Sequence, residues 1–162
     1  MSVLEIKKFR DPVLRKKNQS VEKIDGETLK TVGNMVETML ACNGVGLAAP
    51  QIGINKKILV ARTALKKDGI LVLINPNITY RSPEKENGEE GCLSFPGIFL
   101  KIKRAKEIEV EGQDEKGKPI VIQTNGVSAR ILQHEIDHLN GILFYNRLGL
   151  LGQIKFRLRQ WL

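Results

Sequence analysis

The chain contains two histidines, and both fall in one H-E-x-x-H pattern, His134-Glu135-Ile136-Asp137-His138. Two side chains four apart share a face of an α-helix, because one turn takes 3.6 residues. Their imidazoles can then grip one divalent metal, and the glutamate beside the first can take a proton from a water held there. A tetrahedral catalytic site needs a third protein ligand and keeps its fourth position open. With no histidine left, that ligand has to be Cys, Asp or Glu. Cys92, in Glu90-Gly91-Cys92-Leu93-Ser94, is the natural candidate, since a thiolate is a strong ligand and a metal itself deprotonates it. A bare five-residue pattern also arises by chance on solvated helix faces, so the rest of the chain has to decide.

The hydrophobic pattern predicts one α+β domain over residues 1–162, with antiparallel or mixed sheets packed around a central helix carrying H-E-x-x-H. Residues 25–42 read as an amphipathic helix: Leu29, Val32, Met35, Val36, Met39 and Leu40 recur at i, i+3, i+4 spacing. Asp25 caps its start and Asn43-Gly44 ends it. Asp11 to Arg15 reads as a turn or brief helix. Residues 57–61 and 70–74 are short apolar strands, the second stopping before Asn75-Pro76. Residues 107–111 alternate strictly, so Ile108 and Val110 face a core and the glutamates face water. Residues 120–122 pair with them across the turn at 114–117. Asn125-Gly126 breaks the chain before a helix over 128–139, which buries Ile131, Ile136 and Leu139.

A length of 162 residues with 41% hydrophobic content is enough for a proper core. No run of eighteen apolar residues occurs, so no membrane span is expected. Met1 to Lys8 lacks the apolar stretch of a secretory signal. Two cysteines make no disulfide framework, which fits a reducing, cytoplasmic setting. Cys42 reads as a small apolar filler near a helix end. The net charge of +8 favours anionic neighbours. With 5% aromatic content and no RNA-binding motif, direct sequence-specific nucleic-acid binding is not expected.

Two further segments carry chemistry. Gly44-Val45-Gly46-Leu47-Ala48-Ala49-Pro50-Gln51 links the first helix to the strands. Its small residues let another backbone approach, and the Gln51 amide can donate a hydrogen bond. It is not a phosphate loop, because it leaves a helix and lacks a Gly-Lys-Ser/Thr ending. Around Cys92, Gly91 gives backbone freedom, and the Leu93 N–H is placed to act as an oxyanion donor.

Taken in order, G-x-G-x-A-A-x-Q, E-G-C-x-S and H-E-x-x-H closely resemble the peptide deformylase family, and all three are intact here. Gln133 before the first histidine, and Asp137, Leu139, Asn140 and Gly141 after it, match as well. The resemblance implies removal of the formyl group from formyl-methionyl nascent peptides, releasing formate. It implies Cys92, His134 and His138 as metal ligands and Glu135 as general acid and base. Gln51 and the Leu93 amide would bind the formyl oxygen. Gly44, Val45 and Gly46 would line the peptide cleft. Glu90 is counted with the substrate-binding group in a supporting role, and Asp137 is a candidate for orienting a histidine. Fe(II) is the expected metal, with Zn, Ni or Co able to occupy the site. One departure stands out. Many family members place an arginine just after E-G-C-x-S-x-P, where Phe99 falls here, and Lys101 or Lys103 offers a substitute cation.

Residues 147–162 hold Arg147, Lys155, Arg157 and Arg159, no acid, and apolar Leu148, Leu151, Phe156, Leu158, Trp161 and Leu162. They read as a basic amphipathic helix. It either docks near the ribosomal exit tunnel or packs on the core. Among other functions, a zinc peptidase shares H-E-x-x-H but usually completes its site with Glu, His or Asp. A ribosome- or RNA-binding protein without activity explains the charge and leaves the metal triad unexplained.

Overall fold

The computed structural model describes residues 2–66 and 69–161. Asp11 caps a short 3-10 turn, Pro12–Arg15, by accepting from the Val13 N–H. Helix α1 spans Gly26–Ala41, and the Asp25 carboxylate accepts from the Thr28 N–H. Asn43, at φ 52°, takes the left-handed position that ends it, and the Gly44 N–H bonds back to the Met39 carbonyl.

The buried face of α1 is rotated from the expected one. Leu29 and Leu40 are exposed, whereas Asn34 and Thr38 are buried with Val32, Met35 and Met39. The two polar side chains accept the Ser2 and Leu4 N–H groups at 2.9 Å, tying the N-terminal segment down. A reading by apolar spacing misses polar residues whose burial is satisfied by backbone from elsewhere.

The main sheet runs β1 (Gly46–Ala48), β2 (Ile58–Arg62), β3 (Ile70–Arg81), β6 (Glu107–Gln113), β7 (Pro119–Asn125), with every pairing antiparallel. Strands β4 (Lys85–Cys92) and β5 (Phe95–Ala105) form a separate antiparallel ribbon. Strand β3 does not stop at Asn75-Pro76. Asn75 sits at φ 54° in a register shift, and its amide exchanges two hydrogen bonds with the Val21 backbone, at 2.8 and 2.9 Å. A proline is tolerated at such a bulge because no ladder donor is needed there. Ile108 and Val110 are buried as their alternation predicts. The Asn125-Gly126 pair does not open a gap. Asn125 is the residue before α2 (Gly126–Leu139), and Gly126, at φ 57°, turns β7 directly into it.

Strand β2 is apolar throughout because the sheet is covered on both faces. Ile58 and Val60 pack with Met35, Met39 and Val32 of α1. Leu59 and Ala61 pack with Ala129, Leu132 and Ile136 of α2. This second contact fixes the depth and rotation of the helix that carries both histidines. A third cluster of Leu14, Phe95, Leu143, Phe144, Tyr145 and Phe156 anchors the C-terminal part. There α3 (Leu150–Trp161) stacks Phe156 on Tyr145, with ring centroids 4.7 Å apart. Leu162 and the side chain of Trp161 lie outside the described residues.

Candidate metal centre and its cleft

Cys92 ends β4 at a bulge, where the register shifts between Gly91 and Cys92. The kink turns its sulfur towards α2. Possible ligand atoms of Cys92, His134 and His138 lie within 4.8 Å of one another. The Cys92 Sγ is 3.3 Å from His138 Nε2. His134 presents its Nδ1 to Glu90 Oε2 at 2.9 Å, which leaves Nε2 as the free nitrogen of that ring.

Behind the histidines lies a buried ion network. Arg104 grips both oxygens of Glu90, each at 2.9 Å, and donates its third arm to Asp137. Arg130 adds a bond to Glu90 at 2.9 Å, and Arg147 grips Asp137 from the far side. Glu90 is therefore not a substrate-side residue. It is absent from the cleft lining and buried behind His134, where it orients the ring. Burial alone would raise its pKa, yet the bonds to Arg104 and His134 outweigh that and hold it at about 2. Asp137 reaches the site through Arg104. Arg104 and Arg130 escape a reading by motif. The available signal is Arg104's place in Ile102-Lys103-Arg104, two residues from a buried isoleucine on a strand, which points its cation inward and demands acids there.

The remaining electrostatics suit a cation. Burial disfavours a charged His134, but its bonds to Cys92 and Glu90 and the charge of Glu135 prevail and lift it to about 10. Surroundings that hold a proton this firmly also favour a divalent ion among the three donors. Burial, with the charges of His134 and Arg104, keeps His138 well below the usual histidine range, as a ligand imidazole requires. Glu135 is raised to about 7, chiefly by burial. Its Oε2 has no hydrogen-bond partner among the described residues. A buried, unpartnered carboxylate oxygen beside three donor atoms fits a site built for a metal and a reactive water.

A cleft of about 540 Å³ opens in front of this cluster. Gly44, Val45 and Gly46 line one wall, and Gly91, Cys92, Leu93 and Phe99 line another, with Gln51, His134 and Glu135 also on its surface. The Gln51 Nε2 donates to Ser94 Oγ at 3.3 Å and lies 3.6 Å from the Cys92 sulfur, while its Oε1 is fixed by the Ala48 N–H. Strand β1 is an edge strand, so one side of it is open to another extended chain. Cys42 is exposed and lines the cleft, so it is no buried filler. Phe99 lines it too, its ring lying against Gly91, while neither Lys101 nor Lys103 does.

Gly46 packs directly on the catalytic candidate. A Cβ there would stand 2.3 Å from Glu135 Oε1. Gly46→Ala is expected to displace the carboxylate and lower kcat/KM by about 10²-fold, the effect of a misplacement near 1 Å. Steady-state kinetics beside thermal melting checks this. Unchanged kinetics in a folded variant would show that the contact does not position Glu135.

Comparison with known proteins agrees with this geometry. Residues 3–153 match the family model for polypeptide deformylase. A peptide deformylase of Thermodesulfovibrio yellowstonii is 46% identical over 159 residues, covering 97% of this chain and 96% of its own. The crystal structure of peptide deformylase from Thermus thermophilus superposes with a TM-score of 0.90 at 43% identity, covering 98% of this chain and 93% of that one. A peptide deformylase from Synechococcus elongatus, crystallised in complex with actinonin, gives 0.86 at 42% identity over 94% and 82% of the two chains. Because the family model and these near full-length relatives span the segments that carry Cys92, His134 and His138, the chain belongs to the peptide deformylase family.

Proposed function

We infer that the chain removes the N-terminal formyl group from formyl-methionyl nascent peptides, giving formate and a free amine, with residues 1–162 acting as one catalytic domain. The observation that carries this reading is the cluster of Cys92, His134 and His138 beside the buried carboxylate of Glu135, whose Oε2 has no partner among the described residues. Cys92, His134 and His138 hold the metal. Fe(II) is the proposed resident, with Zn, Ni or Co able to replace it, since one thiolate and two imidazoles suit each. When bound, the ion supplies a Lewis acid that makes hydroxide available near neutral pH.

The protein groups do the rest. Gly44 and Val45, with the edge of β1 that starts at Gly46, pair with the peptide backbone and hold it extended. Glu135 takes the proton of the attacking water and later delivers it to the leaving amine. Gln51 Nε2 and the Leu93 N–H donate to the formyl oxygen as charge builds on it, and losing one such donor typically costs roughly 10²–10³ in rate. Glu90 and Arg104 keep His134 aimed. Formate release from formyl-Met-Ala-Ser under anaerobic conditions, with metal content measured, tests the reading. A metal-loaded protein that releases no formate, or that cleaves internally in an N-blocked peptide, overturns it. Full activity with zinc as the sole metal would reject the iron assignment.

We also propose that α3 docks at the ribosome near the exit tunnel, in the cytoplasm where nascent chains emerge. Both sequence readings of this segment find support. Phe156 is buried, while Leu150, Leu151, Ile154 and Leu158 are exposed beside Lys155, Arg157 and Arg159. Arg147 does not join that surface, since Asp137 holds its guanidinium. Co-sedimentation of a Leu151→Glu, Leu158→Glu variant with ribosomes, unchanged from wild type, would reject the docking.

A further inference from the structure

Away from the cleft, the far side of the Arg104–Asp137 pair opens on a second pocket of about 140 Å³. It shares no lining residue with the metal cleft. Five cationic residues line it, Arg81, Lys85, Lys103, Arg104 and Arg147, against one carboxylate, Asp137. Asp137 is already occupied by the two guanidiniums of Arg104 and Arg147. Arg81, Lys85 and Lys103 are exposed and have no carboxylate partner among the described residues.

The topology gathers these charges from separate strands. Arg81 ends β3, Lys85 begins β4, and Lys103 lies on β5 opposite Asn87, on the ribbon face that Lys85 also occupies. Like charges drawn round so small a space repel one another, and that repulsion is relieved by an anion. We propose that this pocket binds a phosphate group, with Arg81, Lys85 and Lys103 as its ligands and the buried Arg104–Asp137 pair, held from outside by Arg147, as its fixed wall. A guanidinium fork matches two phosphate oxygens at once, and two ammonium groups can neutralise the rest of the charge. The volume takes one tetrahedral oxyanion and leaves no room for a nucleoside. Two sources offer that chemistry: free inorganic phosphate, and the backbone of RNA, which is read here without regard to base.

The test titrates the metal-loaded protein with inorganic phosphate, and separately with a short oligouridylate, at constant ionic strength set by chloride. Wild type is compared with Arg81→Ala, Lys103→Ala, two exposed positions outside the catalytic cleft. Saturable binding by wild type, weakened at least about tenfold in the variant, is the expected result. If the phosphate arm alone saturates, free phosphate is the ligand. If the oligouridylate binds more tightly and with a steeper salt dependence, the RNA backbone is. Equal behaviour of the two proteins, or no saturation in either arm, overturns the proposal. Unchanged deformylation by the variant confirms that it is folded.

Discussion

Replacing Glu135 by glutamine is expected to lower kcat/KM on a formyl-methionyl peptide by about 10²–10⁴, with metal content unchanged. Glutamine keeps the shape and removes the base. The position of the carboxylate sets this role. It is buried on the face of α2 that carries His134, burial raises it to about 7, and Oε2 has no protein partner among the described residues. A base near neutrality that no other residue satisfies is suited to taking and returning a proton at working pH. The same features cost stability, since an ionisable group is held from water without full compensation. Glu135→Gln should therefore melt no lower than wild type, a sign opposite to that of an ordinary core substitution. Kinetics, metal analysis and thermal melting on one preparation decide the matter. A loss below tenfold in the metal-loaded variant would remove Glu135 from the proton-transfer role. A loss that tracks missing metal would make it a structural support instead.

The parts of this site that the sequence shows are those whose spacing reflects one local element. His134, Glu135 and His138 share a helix, so the period of that helix announces their common face. Ile108 and Val110 announce theirs by alternation. What the sequence hides is set by distant partners. The rotation of α1 depends on Asn34 and Thr38 accepting N–H groups from Ser2 and Leu4. The continuation of β3 past Pro76 depends on Asn75 holding Val21. The β4–β5 ribbon has few apolar residues in β4, because its burial comes from ion pairs and not from a hydrophobic face. Glu90 illustrates the limit. Standing two residues before Cys92, it shares a face with Cys92 by strand alternation, but the register shifts between Gly91 and Cys92, and Arg104, fourteen positions on, holds it behind His134.

Arg104→Ala is expected to destabilise the fold by about 3–5 kcal/mol, the cost of breaking a buried charge network by removing one partner. Arg104 is 4% exposed and bridges two buried carboxylates, Glu90 and Asp137. Alanine leaves both acids underground with fewer donors. Arg130 and Arg147 remain, which places the effect towards the lower end of that range. Lysine does not rescue it, because one ammonium cannot grip both oxygens of Glu90 and reach Asp137 as well. The pH dependence follows from the sign of the Glu90 shift. Its folded pKa, about 2, lies below the ordinary 4.5, so its contribution is present above about 4.5 and is lost as pH falls towards 2. Without Arg104 the folded pKa rises, and acid unfolding should begin at higher pH. The loss also reaches the metal, since Glu90 no longer holds the His134 ring as firmly, and affinity should fall by about 10–100-fold. Urea unfolding of wild type, Arg104→Ala, Glu90→Gln and the double variant separates the terms. If Arg104→Ala costs less than about 0.5 kcal/mol, or if the two substitutions add with no coupling, the network does not hold this site together.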